Sequence, residues 1–324
     1  MAVTEVDIVD AVCCCHASDS SLEIEGTGSL LAQLPPSPSC QRLSLCEHRG
    51  IVSYDPADLT VTVRAGTMLA DLDCELERHG QECPIEGPGR SVGGRVASAL
   101  SGLRRLGSGP VRDWLLGMRV VTADGTIVRF GGPTVKNVTG YDLTRLVCGS
   151  WGTLAVFTEI TLRLRPRPAF RAWYVTDLPE RELLRVLRAT SIVRRRERTH
   201  VLLEGHPADC LQQVGRCGLI QSPPPRLPAG LRLAVPPAHI NNTLARIDSD
   251  YAAEIGVGII HADSRTNNLL ALRRHCEALG GRLLVLKRDA GVPAFGGRGP
   301  SDFHDRVKHA LDPRGLFAPW RFAA

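Results

Sequence analysis

Residues 84–109 read PIEGPGRSVGGRVASALSGLRRLGSG, a segment in which seven positions are glycine. Within it, small residues recur on one face over about three helical turns, at Ser91, Gly93, Gly94, Ser98 and Gly102. A flat, fused ring can lie against the backbone only where side chains are absent. This pattern therefore predicts either a cofactor ring on that face or a tight packing site for another element.

Two further glycine clusters lie in the same half of the chain, at residues 26–29 (GTGS) and 149–153 (GSWGT). Glycine-rich turns can aim backbone N–H groups at phosphate oxygens. The first cluster alone is equally compatible with a plain tight turn. It lacks the third glycine of a dinucleotide fingerprint, since Leu31 stands there, and it lacks the Gly-Lys-Ser/Thr of a Walker loop. Three such clusters together favour one large cofactor with a pyrophosphate.

The composition predicts a folded protein of two domains. The chain has 324 residues, of which 43% are hydrophobic and 23% charged. No apolar run reaches the roughly 18 residues of a membrane-spanning helix. Acidic residues and the absence of Lys or Arg before Arg42 argue against a secretory signal. We therefore expect no transmembrane segment and a cytoplasmic protein, with peripheral contact at the inner face of the membrane left open.

The charge pattern does not indicate nucleic-acid binding. Of 39 basic residues only Lys136, Lys287 and Lys308 are lysines, and 34 acidic residues balance the arginines along the chain. The one dense arginine run, residues 194–198, is interrupted by Glu197 and fits a solvated helix face. No basic stripe with interleaved aromatic residues is present, so we expect no nucleic-acid partner.

The eleven cysteines do not form a metal-binding pattern. No C-x-x-C pair occurs, and the spacings typical of zinc or iron–sulfur centres are missing. The run at residues 13–15 fits a short amphipathic helix, in which cysteine packs as a small hydrophobic residue. We expect reduced thiols and no metal.

Periodicity and turn signals predict alternating helices and strands. In the first half they predict a helix over 68–79 capped by Thr67, and a hairpin at Asp124-Gly125. In the second half, predicted helices and strands alternate, which is typical of a small α+β module. The predicted helices further include 1–16, 143–147, 178–198 and 267–279, and the strands 22–25, 51–54, 60–66, 117–123, 126–130, 153–165, 201–204, 231–235, 256–262 and 282–288.

A set of motifs in order carries a resemblance to a known family. The motifs are RGIVSYDP (49–56), RAGT (64–67), GG (93–94), GSGPVRD (107–113), KNVTGYDL (136–143) and GSWGTLAVFTE (149–159). The set resembles the FAD-binding oxidases of the vanillyl-alcohol oxidase and para-cresol methylhydroxylase (PCMH) type. Within that family it is most similar to the FAD-binding subunit of bacterial glycolate oxidase. The match is dense over 48–168 and returns at 303–319.

The resemblance implies an α+β, PCMH-type fold in which two subdomains hold an extended FAD beneath a small α+β cap. We expect an FAD-binding domain at 1–168, the cap at 169–298, and a C-terminal segment at 299–324 that returns to the FAD domain. Residues 26–29 would bind the pyrophosphate. The cofactor-binding positions implied are Gly26, Thr27, Gly28, Ser29, Gly93, Gly94, Ser98, Gly102, Gly109, Val111, Gly149, Gly152 and Val156.

The sequence departs from the family pattern at several places. Trp151 replaces the glutamate of the usual Gly-Ser-Glu-Gly, and 318–320 (APW) replaces Asn-Pro-Gly. Residues 25–31 hold no histidine for covalent flavin attachment, and Cys83 lies ten residues from Gly93, a gap that fits a thioether poorly. We therefore expect noncovalent FAD. Lys136 and Tyr141 are equally compatible with loop folding and with ligand contact.

The function implied is oxidation of a small 2-hydroxy acid such as glycolate, with the flavin accepting or relaying the electrons. The second half is short for a full substrate cap, and its histidines lie in no motif of the family, so no catalytic base is assigned. Both points favour a subunit that works with a larger flavoprotein catalytic subunit and an iron–sulfur subunit. The alternatives are a self-sufficient oxidoreductase of another hydroxy acid or alditol, and a structural subunit without FAD. The histidines concerned are His200, His206, His239, His261 and His275.

Overall fold

The fold is known from a computed structural model, which describes residues 3–34, 37–87, 89–132, 142–196, 198–265, 268–287, 292–295 and 302–322. Its helices are α1 Glu5–Ser18, α2 Leu69–Glu77, α3 Val92–Ser98, α4 Arg105–Ser108, α5 Leu143–Val147, α6 Glu180–Leu183, α7 Pro207–Cys217, α8 Ile240–Leu244, α9 Leu269–Ala278 and α10 Asp302–Leu311. Its strands up to the middle of the chain are β1 Leu22–Glu25, β2 Gln41–Ser44, β3 Ile51–Asp55, β4 Thr60–Arg64, β5 Gln81–Glu82, β6 Leu115–Val121, β7 Ile127–Gly131, β8 Val156–Arg163 and β9 Arg165–Pro166. The later strands are β10 Phe170–Thr176, β11 Ala189–Arg194, β12 Thr199–Gly205, β13 Ile220–Gln221, β14 Gly230–Ala234, β15 Tyr251–Glu254, β16 Ile259–Asp263 and β17 Arg282–Val285.

A five-stranded antiparallel sheet in the order β3-β4-β8-β6-β7 forms the first layer. Val61 and Val63 of β4 are buried because the alternation of apolar and polar residues turns one face of the strand to the core. Helices α1, α2 and α3 contribute Ile8, Leu72 and Val96 to the same core. This layer positions the loops that carry the glycine clusters.

The C-terminal segment returns to the first strand of the chain. Strands β1 and β2 pair in parallel, and Leu22 also bridges Phe317. The Leu22 N–H donates to the Leu316 carbonyl at 2.8 Å, and the Ala318 N–H donates to the Leu22 carbonyl at 3.0 Å. Lys308 of α10 donates to the carbonyls of Thr153 and Phe317, at 2.7 and 2.9 Å. The end of the chain thus supports the strand that leads into residues 26–29.

An eight-stranded sheet in the order β13-β10-β12-β11-β15-β16-β14-β17 forms the second layer. All its pairings are antiparallel. One face carries Leu203, Leu233 and Ile260 into a core closed by α7, α8 and α9, to which Cys210 and Cys276 belong. The opposite face is rich in polar and charged residues, and it turns toward the first layer.

A buried ionic cluster joins the two layers. Glu82 of β5 and Glu204 of β12 are both nearly inaccessible, and Arg165 lies 2.7 Å from the first carboxylate and 2.8 Å from the second. Arg171 reaches each carboxylate at 2.5 Å, and Arg104 lies 2.9 Å from Glu82. Because each charge has opposite partners, the cluster holds the eight-stranded sheet against the first half of the chain.

The predicted α+β class is confirmed, whereas several local predictions are wrong. The region 178–198 is not one helix: α6 ends at Leu183 and β11 follows, because Ile192 and Val193 pack inside the sheet between β12 and β15. Thr67 does not cap α2; its hydroxyl instead accepts from the Gly50 N–H at 2.9 Å. Strand β10 and helix α7 were not predicted from the sequence.

The domain boundaries at residues 168 and 298 remain predictions. Lys136 and Tyr141 lie outside the described residues. Within the part of the chain that the structure describes, none of the helices has the length and apolar character needed to span a bilayer.

Candidate cofactor site

The three glycine clusters meet in one cavity of about 720 Å³ of empty volume. It lies between the loop after β1, the start of α3 and the turn before β8. Of the predicted positions, those that line it are Gly26, Thr27, Gly28, Ser29, Gly93, Gly94, Ser98 and Gly152. Segments that are about 60 residues apart along the chain therefore share one continuous wall.

The loop at residues 26–29 is held by its neighbours. The Thr27 hydroxyl donates to the Gly89 carbonyl and to Ser29 Oγ, each at 3.1 Å. Cys46 Sγ donates to the Gly26 carbonyl at 2.8 Å. A Cβ at Gly26 would lie 2.3 Å from Ser91 Oγ, so this position tolerates no side chain without displacing Ser91. The loop presents backbone to the cavity for this reason.

The start of α3 approaches the sheet closely. The Gly93 N–H donates to the Ala65 carbonyl at 2.8 Å, and a Cβ at Gly93 would lie 2.8 Å from that same oxygen. Ser91 caps the helix by accepting from the Gly94 N–H at 3.1 Å. The sequence pattern predicted either tight packing or a face for a cofactor ring. The glycines of this segment are compatible with both, because they allow tight packing beside β4 and leave part of the cavity wall without side chains.

Trp151 closes one end of the cavity. Its backbone is left-handed, with φ of 54°, and its N–H donates to the Ala97 carbonyl at 2.8 Å. The indole packs edge-on against Phe295 with ring centroids 4.8 Å apart. At the position of the glutamate in the family pattern, this chain therefore places a large apolar side chain in the cavity wall.

Arg90 supplies positive charge to the cavity wall. It lines the cavity, and its Nη1 is buried without a hydrogen-bond partner among the described residues. Burial lowers the pKa of the guanidinium. A buried, unpaired guanidinium nitrogen needs an acceptor. Sequence reasoning missed Arg90, although it directly precedes the SVGG motif.

Five predicted positions lie outside the lining of this cavity. Gly102 abuts Glu86, and Val111 is buried with its N–H donating to Ser101 Oγ at 3.3 Å. Val156 is buried in β8, where it pairs with Val121 of β6. The backbone of the remaining two is left-handed, with φ of 76° at Gly109 and 87° at Gly149. A role of these five toward the cofactor remains a prediction.

The residues present fit an FAD molecule. Its pyrophosphate is an anion, and the cavity offers a buried guanidinium nitrogen of Arg90 that lacks an acceptor. Its rings are flat, and glycines such as Gly26 and Gly93 line the cavity without side chains. Leu45, Ala65 and Phe157 supply apolar surface for the rings.

Cys83 is placed away from the cavity. It is not among the lining residues, its side chain is buried, and burial raises the pKa of its thiol to about 12. A thiol with such a pKa is not a thiolate at neutral pH. This placement supports the expectation that FAD is held without a covalent bond. No group of histidine, cysteine and carboxylate side chains that would hold a metal occurs within the described ranges.

Comparison with known proteins gives a consistent result. Residues 1–131 match the family described as FAD binding domain. The glycolate oxidase subunit GlcE of Escherichia coli (strain K12) is 50% identical over 132 residues, which is 40% of this chain and 38% of that protein. The glycolate oxidase subunit GlcD of Bacillus subtilis (strain 168) is 40% identical over 121 residues, 36% of this chain and 26% of that protein.

A solved structure shows the same fold along the chain. Alkyldihydroxyacetonephosphate synthase superposes with a TM-score of 0.66 at 13% identity, covering 97% of this chain and 74% of that one. The matches to the curated relatives span less than two-fifths of their lengths. The resemblance predicted from the motifs is confirmed at the level of the FAD-binding domain and the fold, and with it FAD as the cofactor.

Proposed function

We propose that this chain is the FAD-binding subunit of a multisubunit dehydrogenase that oxidises glycolate or a related 2-hydroxy acid. The single observation that carries the proposal is the convergence of the three glycine segments on one cavity that also holds an unpaired arginine nitrogen. The similarity to two glycolate oxidase subunits supports the proposed substrate class. Activity within a complex with a larger flavoprotein and an iron–sulfur protein is part of the proposal.

The residues of this chain would bind and enclose the cofactor. When bound, FAD would accept a hydride from the Cα of a 2-hydroxy acid and could transfer the electrons onward one at a time. Arg90 and the backbone of residues 26–29 would hold the pyrophosphate. The apolar wall of Leu45, Phe157 and Trp151 would keep water from the rings, which strengthens polar contacts inside the site.

Two features of the second half support a subunit role. Its described histidines do not line the cavity, so none of them is placed to accept a proton there. The eight-stranded sheet with its short helices is also smaller than the expected full substrate cap. The rival in which FAD has been lost is disfavoured because residues 1–131 match an FAD binding domain and the cavity keeps an arginine nitrogen without a partner among the described residues.

Absorbance spectroscopy of the purified protein tests cofactor binding. We expect flavin bands in the protein as isolated or after addition of FAD, and a yellow supernatant after acid precipitation, because the flavin is not covalently attached. A colourless protein that does not bind added FAD would refute the proposal. A yellow pellet with a colourless supernatant would refute noncovalent attachment alone.

Anaerobic reduction distinguishes the subunit from a self-sufficient enzyme. Glycolate should bleach the flavin of this chain when the partner subunits are co-expressed with it, and should bleach it slowly or not at all when the chain is alone. Full bleaching of the isolated chain by glycolate or lactate at a catalytic rate would favour the self-sufficient oxidoreductase instead.

A further inference from the structure

The polar face of the eight-stranded sheet carries a charged cluster on four adjacent strands. Arg232 of β14 is the register partner of His261 of β16, and Glu254 of β15 lies on the other side of that histidine. Arg282 of β17 lies diagonal to Arg232 on the same face. The residues between them in sequence, such as Leu233 and Ile260, point into the opposite, apolar core. We call Arg232, Glu254, His261 and Arg282, with Arg105, the charged cluster.

The contacts within the charged cluster are incomplete. Glu254 Oε1 lies 2.8 Å from His261 Nε2, whereas Glu254 Oε2 is buried without a partner among the described residues. Arg232 is only 8% exposed, and it donates a single long bond of 3.4 Å to the Ser101 carbonyl. A guanidinium has five N–H donors, so most of its capacity is unused.

Arg105 joins this face from the first half of the chain. It begins α4, and the next residue, Leu106, lies against Gly256 in the turn that follows Glu254. Within the described ranges Arg105, Arg232 and Arg282 form no ion pair at all. Burial lowers the pKa of Arg232 to about 10, and this value still leaves the side chain charged at neutral pH. Two carboxylates thus act on the three guanidiniums: Glu254 acts on Arg105 and Arg232, and Asp113 acts on Arg105 alone.

The charged cluster lies directly behind the wall of the cofactor cavity. Ser98 lines the cavity, and Ser101, which accepts from Arg232, follows three residues later. Leu284 is the other register partner of Arg232, and it packs in one cluster with Leu100 and with Trp151 of the cavity wall. Arg232 is thus linked to residues of the cavity wall through Ser101 and Leu284.

We propose that the charged cluster is a binding site for a small organic carboxylate, held by Arg232 with Arg105 and Arg282, within this chain itself. The inference rests on the proposed function, and it deepens that function by placing the organic acid beside the cofactor cavity of this subunit. A buried guanidinium with a single long hydrogen bond is poorly satisfied, and a carboxylate matches its planar fork with two parallel hydrogen bonds. The negative charge of Glu254 limits how tightly the anion binds.

Calorimetric titration with oxalate, a planar and redox-inert carboxylate, tests the site in the full chain with and without FAD. We expect saturable binding by the wild type, and binding weakened by more than about tenfold in Arg232→Met because hydrogen bonds to a charged group are lost. Arg232→Lys keeps the charge without the fork, and its affinity should lie between the two. Arg265→Met removes an exposed arginine whose ion pair within the described ranges is with Asp263, and it should bind oxalate like the wild type.

A variant that is expected to raise the affinity for oxalate distinguishes loss of the site from misfolding. Glu254→Gln removes the competing negative charge, so oxalate should bind more tightly than to the wild type, by a few-fold. A protein damaged by substitution would lose affinity in both variants. Melting curves of each variant establish that the chain is folded.

Several results would overturn the proposal. They are the absence of oxalate binding to the FAD-loaded wild type, equal affinity in Arg232→Met, and equally tight binding of sulfate at matched ionic strength, which would mean an adventitious ion only. Oxalate binding through Arg232 in a protein that fails to bind FAD would uphold the site and refute the proposed function. FAD binding without oxalate binding would refute the site alone.

Discussion

The cofactor cavity and the charged face of the eight-stranded sheet are built in opposite ways. The cavity is lined by backbone at Gly26, Gly93 and Gly152, where side chains are absent. The charged face depends on side chains, such as Arg232 and Glu204, that reach across strands distant in sequence. A site that depends on missing side chains appears in the sequence as glycine clusters. A site that depends on charged side chains from distant strands leaves no local sequence pattern.

The comparison predicts different sensitivities for the two regions. Substitutions in the cavity should act by adding volume, and substitutions on the charged face should act by removing a charge whose partners stay buried. The following predictions test this difference in order of expected effect.

Removal of Glu204 should have the largest effect. Glu204→Ala leaves Arg165 and Arg171 with one carboxylate fewer in a buried cluster, and it should lower the free energy of unfolding by about 3–5 kcal/mol. Denaturant unfolding followed by circular dichroism measures this change. Glu75→Gln, which removes an exposed partner of Arg78, is the control and should cost about 0–1 kcal/mol. Equal effects would show that the buried cluster does not hold the layers together.

Adding a methyl group at Gly93 should have the next largest effect. Gly93→Ala places a Cβ 2.8 Å from the Ala65 carbonyl oxygen, and the resulting strain should cost about 1–3 kcal/mol and weaken FAD binding. Thermal unfolding and flavin titration report the two losses. Gly132→Ala, where nothing lies within 4 Å of the added Cβ, is the matched control. If Gly93→Ala binds FAD like the wild type, the cavity does not depend on omitted side chains.

Removal of the charge of Arg90, which among the described residues is the cation that lines the cavity, should have a smaller effect that is confined to cofactor binding. Arg90→Met should raise the dissociation constant of FAD about tenfold, because a charge-assisted hydrogen bond to the pyrophosphate is lost. Equilibrium dialysis of flavin measures it. Protein stability should not fall, since the guanidinium nitrogen is unpaired without the ligand. Unchanged FAD affinity would place the pyrophosphate elsewhere in the cavity.

Lowering the pH should weaken the buried ionic cluster and thereby lower the stability of the protein, an effect that is not seen at neutral pH. Burial alone raises the pKa of the Glu82 carboxyl, but the hydrogen bond from Arg171 and the charge of Arg104 outweigh it and hold the pKa below its usual 4.5. A depressed pKa in the folded state contributes stability above about pH 4.5, and this contribution is lost as the pH falls through the folded value. Stability measured between about pH 3 and about pH 7 should therefore decline in acid.

Glu82→Gln is the variant that separates this contribution from general acid unfolding. Its stability should be lower at neutral pH and should fall less steeply in acid, because the group that titrates has been removed. An acid slope identical to that of the wild type would assign the decline to other carboxylates.

Prediction from the sequence succeeded where the signal was local. Helix α5 begins and ends at the predicted residues, and strand β1 does as well. The prediction failed at 178–198, where arginines between apolar residues look helical but β11 becomes an interior strand of the sheet. Tertiary pairing overrode the local preference there, because burial between β12 and β15 outweighs the propensity of a short segment.

The residues of the candidate site show the same difference between local sequence signals and tertiary placement. Gly26, Gly93 and Gly152 were identified from the sequence, since only glycine leaves the backbone bare. Arg90 was missed, because a single arginine in a chain rich in arginine carries no signal until its nitrogen is seen to be buried without a partner. Gly102 and Val111 were placed near the cofactor by the motifs; neither lines the cavity, and their role toward the cofactor stays a prediction.

The sequence alone indicated the cofactor class through the family resemblance of its motifs, and its glycine clusters identified three segments that line the cavity, because only glycine leaves the backbone bare. Only the tertiary structure decided which charges meet. Arg232, His261 and Glu254 acquire their relation through strand register, and Arg105 joins them through the packing of α4 on the sheet. Charge interactions depend on distance and burial, and neither is fixed until the strands have paired.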